Sequence, residues 1–195
     1  KKALEKKGLE YGINEGDGAF YGPKIDIKLK DALGRAWQCA TIQCDFALPE
    51  RFDLKYVDSE KKKKRPIMLH RVILGSLERF LGTLIEHYGG EFPLWLAPVQ
   101  VMIIPIAGAH AEYASEVKRM LIDHGIRAES DPRNEKMQRK IRDAELAKIP
   151  YMVVLGNKEM EGRTVSLRSK KSGTIGAMAR EDLIERLEKE IDEKA

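Results

Sequence analysis

Val99-Gln100-Val101-Met102-Ile103-Ile104-Pro105-Ile106 is an almost unbroken apolar run, flanked by Pro98 and by Ala107-Gly108. Strict alternation would signal a strand with one wet face; a continuous run signals a strand covered on both faces, as in a sheet with helices on either side. The residues that follow support this reading. An amphipathic stretch from Ala111 to His124 stops at Gly125, and Ile126 to Ser130 is short and strand-like. Glu135 to Lys148 again has helical spacing, Tyr151 to Leu155 is a second apolar run, and Thr164 to Arg168 is a further strand. Ala179 to Lys194 closes the pattern as a helix. Strands alternating with helices predict an α/β domain with a mixed, mostly parallel sheet flanked by helices. No internal repeat is visible.

Upstream of Val99 the pattern differs. Lys1 to Lys7 is helical and stops at Gly8, and Gly12 to Gly18 is a polar loop. Lys24 to Lys30 alternates strictly, with Ile25, Ile27 and Leu29 on one face and Asp26 and Lys28 on the other: a half-buried antiparallel strand. A turn over Asp31 to Arg35 leads to a returning strand from Ala36 to Phe46. After the charged loop Lys61 to Arg65, Pro66 to His70 reads as a strand and Arg71 to Tyr88 as a helix ended by Gly89-Gly90. The two prolines within Phe92 to Pro98 mark a linker, which predicts two domains, 1–96 and 97–195, and an α+β chain overall.

Composition narrows the class. Of 195 residues, 43% are hydrophobic and 34% charged, the balance of a globular chain. No stretch approaches the roughly 18 uninterrupted apolar residues of a membrane span, so no membrane partner is expected. Lys1 to Glu5 lacks the apolar core of a signal peptide and reads as the end of a helix begun earlier, so the chain is expected to be cut from something longer. Cys39 and Cys44 lie too far apart along a straight strand, at about 3.3 Å per residue, to bridge. They are expected to be free thiols in a reducing cytoplasm. Net charge is +4, unevenly spread: Arg133 to Lys171 carries 11 Lys and Arg against 5 Asp and Glu, and Arg180 to Ala195 carries 4 against 7. A basic middle beside an acidic last helix suits a surface for a polyanion, although ordinary solvated charge explains it equally well.

Three clusters could carry chemistry. Phe20-Tyr21-Gly22-Pro23-Lys24 places Tyr21 and Lys24 around a fixed turn at a strand mouth. Trp37 to Phe46 carries Gln38, Thr41 and Gln43 on a strand where inward positions are usually apolar. Buried amides need partners, so these either meet a polar ligand or point to solvent. Alternation puts Gln38 on the face opposite Thr41 and Gln43, so a common ligand requires a bulge or a shared edge. The sharpest cluster is His70 to Arg79, a strand end running into a helix. Gly75 there permits close approach, and Arg79 offers a planar fork suited to phosphate or to a carboxylate. His70 is a candidate metal ligand or a hydrogen-bonded structural histidine.

These blocks resemble the class II aminoacyl-tRNA synthetases. His70 to Arg79 is similar to their third signature motif, whose arginine contacts the γ-phosphate of ATP. Phe20 to Lys24, Trp37 to Phe46 and Met68 to Arg71 resemble the threonyl branch more than the prolyl, glycyl or histidyl branches, over nearly the whole chain. The resemblance implies the end of a class II catalytic domain, an antiparallel sheet with the third-motif helix, followed by an anticodon-binding domain. It implies ATP-dependent attachment of threonine to tRNA-Thr through threonyl-adenylate, by a cytoplasmic homodimer using Zn²⁺ and Mg²⁺ with ATP. Arg79, Gln38 and Lys24 would serve catalysis. Tyr21, Gln38, Thr41, Gln43, Ser76 and Arg79 would bind ATP and threonine. His70 would be one of three zinc ligands. Asn134, Arg142, Glu159 and Arg168 would read anticodon bases, with Lys136, Arg139 and Lys140 on phosphates.

The first and second signature motifs and two of the zinc ligands have no counterpart among these residues. The chain by itself is therefore expected neither to make the adenylate nor to hold zinc tightly. The α/β half is expected to fold alone and the antiparallel half to expose an edge. The rival reading is a synthetase-like module that binds tRNA or protein without catalysis.

Overall fold

The computed structural model describes residues 1–194. The chain forms two compact units, divided between Glu86 and His87. The segment read as a linker packs with the second unit: Leu94 is buried, and the buried Gln100 side chain donates to the Leu94 carbonyl at 2.8 Å and accepts from Arg127 N–H at 2.8 Å.

The elements of the first unit are, in order, α1 (Lys2–Lys6), β1 (Lys24–Lys30), β2 (Ala36–Asp45), α2 (Ala47–Arg51), β3 (Tyr56–Val57), β4 (Lys63–Lys64), β5 (Met68–Val72) and α3 (Leu77–Tyr88). β1, β2 and β5 make a three-stranded antiparallel sheet in that order, and β3 and β4 a separate small hairpin. The β1–β2 turn is fixed by Asp31. Its Oδ1 accepts from Leu33 N–H at 2.9 Å and Arg35 N–H at 2.8 Å, and its Oδ2 accepts from Trp37 Nε1–H at 2.8 Å. Desolvation pushes this buried carboxyl up, but the hydrogen bonds from Trp37 and Arg35 outweigh it and bring its pKa down to about 2.

The helix expected from Arg71 begins only at Leu77. Gly75 adopts φ +71°, which breaks the helical path, and Ser76 Oγ then accepts from Arg79 N–H at 3.3 Å as an N-cap. The strand expected to end at His70 continues to Val72, because β2 pairs with it from Met68 through Val72.

The second unit runs β6 (Val101–Pro105), α4 (Ala111–Asp123), β7 (Ala128–Ser130), α5 (Met137–Leu146), β8 (Tyr151–Leu155), α6 (Asn157–Gly162), β9 (Thr164–Ser169), β10 (Gly173–Ala179) and α7 (Arg180–Glu193). The sheet order is β10-β9-β8-β6-β7. β7, β6 and β8 are parallel, while β9 and β10 add antiparallel at one side. The apolar run is β6, and its two faces feed two cores. Val101 and Ile103 pack with Val117 and Leu121 of α4 and Leu183 and Leu187 of α7, whereas Ile104 packs with Met152 and with Ala144 of α5. Helices on both faces explain why the strand does not alternate. β10 left little mark on the sequence: Gly173 and Gly176 both have positive φ, and the β9–β10 register shifts beside Gly176.

Candidate functional site

The polar face of the first sheet carries the first candidate site. Register puts Gln43 of β2 opposite Lys24 of β1 on one side and His70 of β5 on the other, and Thr41 opposite Asp26 and Val72. Gln38 would face away if β2 alternated throughout. It does not: Ile27 pairs with Ala40 and Lys28 with Gln38, so Cys39 is an extra residue and the strand bulges there. The bulge returns Gln38 to the face of Thr41 and Gln43. Gln38 Nε2 and Thr41 Oγ1 both donate to Asp26 Oδ1, each at 2.7 Å. Lys24 Nζ lies 3.0 Å from Asp26 Oδ2, and Tyr21 Oη donates to Gln43 Oε1 at 2.9 Å. Desolvation raises the Asp26 carboxyl, but the Thr41 hydroxyl and the Lys24 ammonium outweigh it, and its pKa falls below the usual range. The bond to Asp26 raises that of Lys24.

At the end of β2 and the start of α2 the same face opens into a cleft of about 340 Å³ lined by Tyr21, Gln43, Asp45, Arg51 and His70 among others. Asp45 Oδ1 accepts from the Ala47 and Leu48 N–H groups at 2.8 and 3.0 Å, and His70 Nε2 lies 3.0 Å from Asp45 Oδ2. The Leu48 N–H, together with His70, keeps this carboxyl below its ordinary pKa against the cost of burial. The arrangement offers amide, hydroxyl, ammonium and imidazole groups to a polar ligand, with Asp26 behind Gln38, Thr41 and Lys24, and Asp45 behind His70.

Two glycines let backbone elements close in on this sheet. A Cβ on Gly22 would collide with the Cys44 carbonyl, and one on Gly75 would lie 2.8 Å from the Cys39 carbonyl oxygen. Ser76 and Arg79 lie at the start of α3. Ser76 Oγ donates to Glu78 Oε2 at 2.7 Å, and the exposed Arg79 guanidinium sits 5.5 Å from the centre of the Trp37 ring. Trp37 is opposite Leu29, on the face away from Gln38. The structure thus gathers Tyr21, Lys24, Gln38, Thr41, Gln43 and His70 on one face and leaves Arg79 parked on an aromatic ring of the other. Among the described residues no group of three His, Cys, Asp or Glu is placed to hold a metal ion. Asp26 and Asp45 were not among the sequence candidates for the site, although Asp26 stands on the polar face of an alternating strand and Asp45 ends β2 two residues before α2.

In the second unit Asn134 and Arg142 are exposed, and neither bonds another side chain among the described residues. Arg168 of β9 donates to Glu145 of α5 at 3.2 Å and to Thr174 at 3.2 Å. Glu159 Oε2 accepts from Gly156 N–H at 2.9 Å, capping α6. Lys136 is exposed, and Arg139 pairs with Glu135 at 3.2 Å. Lys140 corrects the sequence reading: it is only 3% exposed and faces main-chain carbonyls, so it cannot meet a phosphate.

Comparison with known proteins matches each unit to a family model. Residues 2–88 match the family model "tRNA synthetase class II core domain (G, H, P, S and T)", and residues 100–190 match "Anticodon binding domain". A threonine–tRNA ligase of Clostridium kluyveri is 57% identical over 194 residues, and one of Clostridium novyi 59% over 193. Over its whole length the chain is a homologue of threonine–tRNA ligases. Each of those two alignments covers 99–100% of this chain, which spans about 30% of the length of those ligases. In structure the family likeness extends to the RNA-binding domain of threonyl-tRNA synthetase from Cryptosporidium parvum (TM-score 0.87, 41% identity, 96% of this chain and 48% of that one). It extends also to a putative threonyl-tRNA synthetase from Aeropyrum pernix (TM-score 0.67, 30% identity, 98% and 47%).

Proposed function

We propose that the chain works within an ATP-dependent threonine–tRNA ligase, its first unit walling the threonyl-adenylate site and its second reading the anticodon of tRNA-Thr. The observation that carries this reading is the bulge at Cys39, which gathers Gln38, Thr41 and Gln43 beside Lys24 and His70 on one sheet face. In the reaction, a threonine carboxylate oxygen attacks the α-phosphorus of ATP and pyrophosphate leaves; a hydroxyl of the terminal ribose of the tRNA then attacks the acyl carbon and AMP leaves. Gln38, Thr41 and Gln43 hold the adenylate and the amino acid by directional hydrogen bonds, an effect of positioning rather than proton transfer. Tyr21 and Lys24 border the pocket where the tRNA end arrives. Ser76 lines it, and Arg79 would leave the Trp37 ring to hold the γ-phosphate, whose charge a Mg²⁺ ion bound with ATP would share.

His70 fits one position of a zinc site. It opens into the cleft with one ring nitrogen held by Asp45, and an imidazole so oriented by a carboxylate is a common metal ligand. A bound zinc would grip the amino and hydroxyl groups of threonine and so discriminate against valine, which an apolar pocket separates poorly. In the second unit Asn134, Arg142, Glu159 and Arg168 meet base edges. The free thiols Cys39 and Cys44 support a cytoplasmic site of action, and the intact enzyme works as a homodimer. Among the described residues no helix is long and apolar enough to cross a membrane.

Arg79→Ala in the full-length ligase tests the catalytic half. ATP–pyrophosphate exchange is expected to slow by about 10²-fold with a raised KM for ATP, the scale of losing one charge-stabilising donor. Unchanged exchange would remove Arg79 from the site.

A further inference from the structure

The most buried ammonium of the second unit has no place in the scheme above. Lys140 sits one turn into α5, 3% exposed, with Nζ 3.0 Å from the Pro105 carbonyl oxygen and 3.1 Å from that of Asp131. Pro105 is the last residue of β6, and Asp131 follows the last residue of β7, to which it adds one more sheet bond through its N–H to Ile103 O at 2.9 Å. Lys140 therefore joins the carboxyl ends of two neighbouring parallel strands, the edge at which open α/β sheets bind ligands. Removing a cation from water costs several kcal/mol unless hydrogen bonds compensate, and a methionine would fill the same space without that cost. The ammonium is thus explained by the carbonyls it holds.

Those carbonyls anchor a loop. Residues 132–136 leave β7 at Asp131 and return to α5, so one side chain ties the start of the loop to the helix at its end. A second tie lies outside the first. Arg133 donates to both Asp131 carboxylate oxygens, at 2.9 and 2.7 Å, and to Asp143 Oδ2 of α5 at 2.8 Å. Asn134, at the middle of this doubly clamped loop, and Arg142, half a turn beyond Lys140 on α5, are exposed and free of side-chain partners among the described residues.

We infer that Lys140 is a positioning residue for base recognition: it fixes the 131–136 loop against α5 so that Asn134 and Arg142 present their polar ends in one geometry. The inference rests on the anticodon-reading role proposed above. Fixed donors discriminate between bases because a wrong base leaves them unpaired, whereas a loose loop can adjust to either base.

The test uses the full-length ligase and two substrates, tRNA-Thr and tRNA-Thr with a substituted anticodon. The discrimination ratio is the quotient of their kcat/KM values, with ATP–pyrophosphate exchange, which needs no tRNA, as the fold control. Lys140→Met is expected to lower the ratio by about tenfold, on the scale of one charge-assisted hydrogen bond. Combined with Asn134→Ala it should add less than its own tenfold, because the part of its effect that runs through Asn134 is already lost and only the part through Arg142 remains. Arg133→Gln, a change on the exposed side of the clamp, should produce a smaller fall in the same ratio, and it decides the matter if Lys140→Met fails to fold. An unchanged ratio in the folded Lys140→Met enzyme, or a loss that multiplies fully with that of Asn134→Ala, would overturn the inference. An Asn134→Ala enzyme with its ratio intact would instead overturn the anticodon reading on which it rests.

Discussion

The two units bury their apolar residues in opposite ways. The largest fully buried side chains, from Leu94 to Leu187, all belong to the second unit, where they form cores on both faces of the sheet. The first unit has a sheet with one polar face and one apolar face, and the apolar one is open: Ile27 is 52% and Leu69 65% exposed, with Ile25, Leu29 and Ile42 beside them. A sheet covered on both sides supplies its own driving force for folding, whereas one with an open apolar face has yet to bury that surface. The second unit is a self-sufficient platform, and the first is a wall whose order comes from hydrogen bonds and tight backbone contacts.

Truncation of one isoleucine in each unit tests that contrast most strongly. Ile103→Ala is expected to cost about 3–4 kcal/mol in chemical denaturation, the usual range for a buried side chain without room to collapse. Ile27→Ala should cost under about 1 kcal/mol, because half of that side chain is already in water. Equal costs would mean that the apolar face of the first sheet is covered in solution.

Within the first unit the backbone contact should matter more than any side chain of the open face. Gly75→Ala combines a positive φ with a Cβ 2.8 Å from the Cys39 carbonyl oxygen, and is expected to cost about 2 kcal/mol. A neutral substitution would show that the β5–α3 turn is free to relax.

Acid should loosen the first unit through Asp31. Its folded pKa of about 2 lies below the value of about 3.9 for an unfolded aspartate, so its contribution is complete above pH ~4 and is lost as pH falls toward 2. Trp37, which donates to that carboxylate, reports the change by its fluorescence, and Asp31→Asn should abolish the transition. A transition that persists in Asp31→Asn belongs to another group.

The smallest effect expected is at Lys136. Exposed beside the clamped loop, it should contribute one phosphate contact, so Lys136→Ala lowers the salt dependence of tRNA binding by about one in log–log slope and leaves base preference alone.

Much of the fold was legible because burial writes itself into periodicity. Lys24 to Lys30 alternates and forms a sheet with one wet face; Val101 to Pro105 does not alternate and lies between helices. The limits of that reading follow from the same physics. Cys39 makes a bulge only because β1 and β5 fix the register of the rest of β2, a long-range constraint invisible within the strand. β10 carries glycines where a strand usually carries β-branched residues, and its neighbour β9 supplies the order. At the candidate site, residue types singled out Gln38, Thr41, Gln43 and His70, but their partners Asp26 and Asp45 depended on cross-strand geometry. Lys140 looked like a surface charge because nothing local distinguishes a lysine that reaches water from one that reaches two carbonyls.

If the second unit reads bases by itself, titration of this chain with tRNA will show it. tRNA-Thr and the same tRNA with a substituted anticodon are compared at two salt concentrations. Tighter binding of the natural anticodon is expected at both concentrations, with salt weakening the two alike. Equal affinities that collapse together as salt rises would show phosphate attraction alone and contradict base reading.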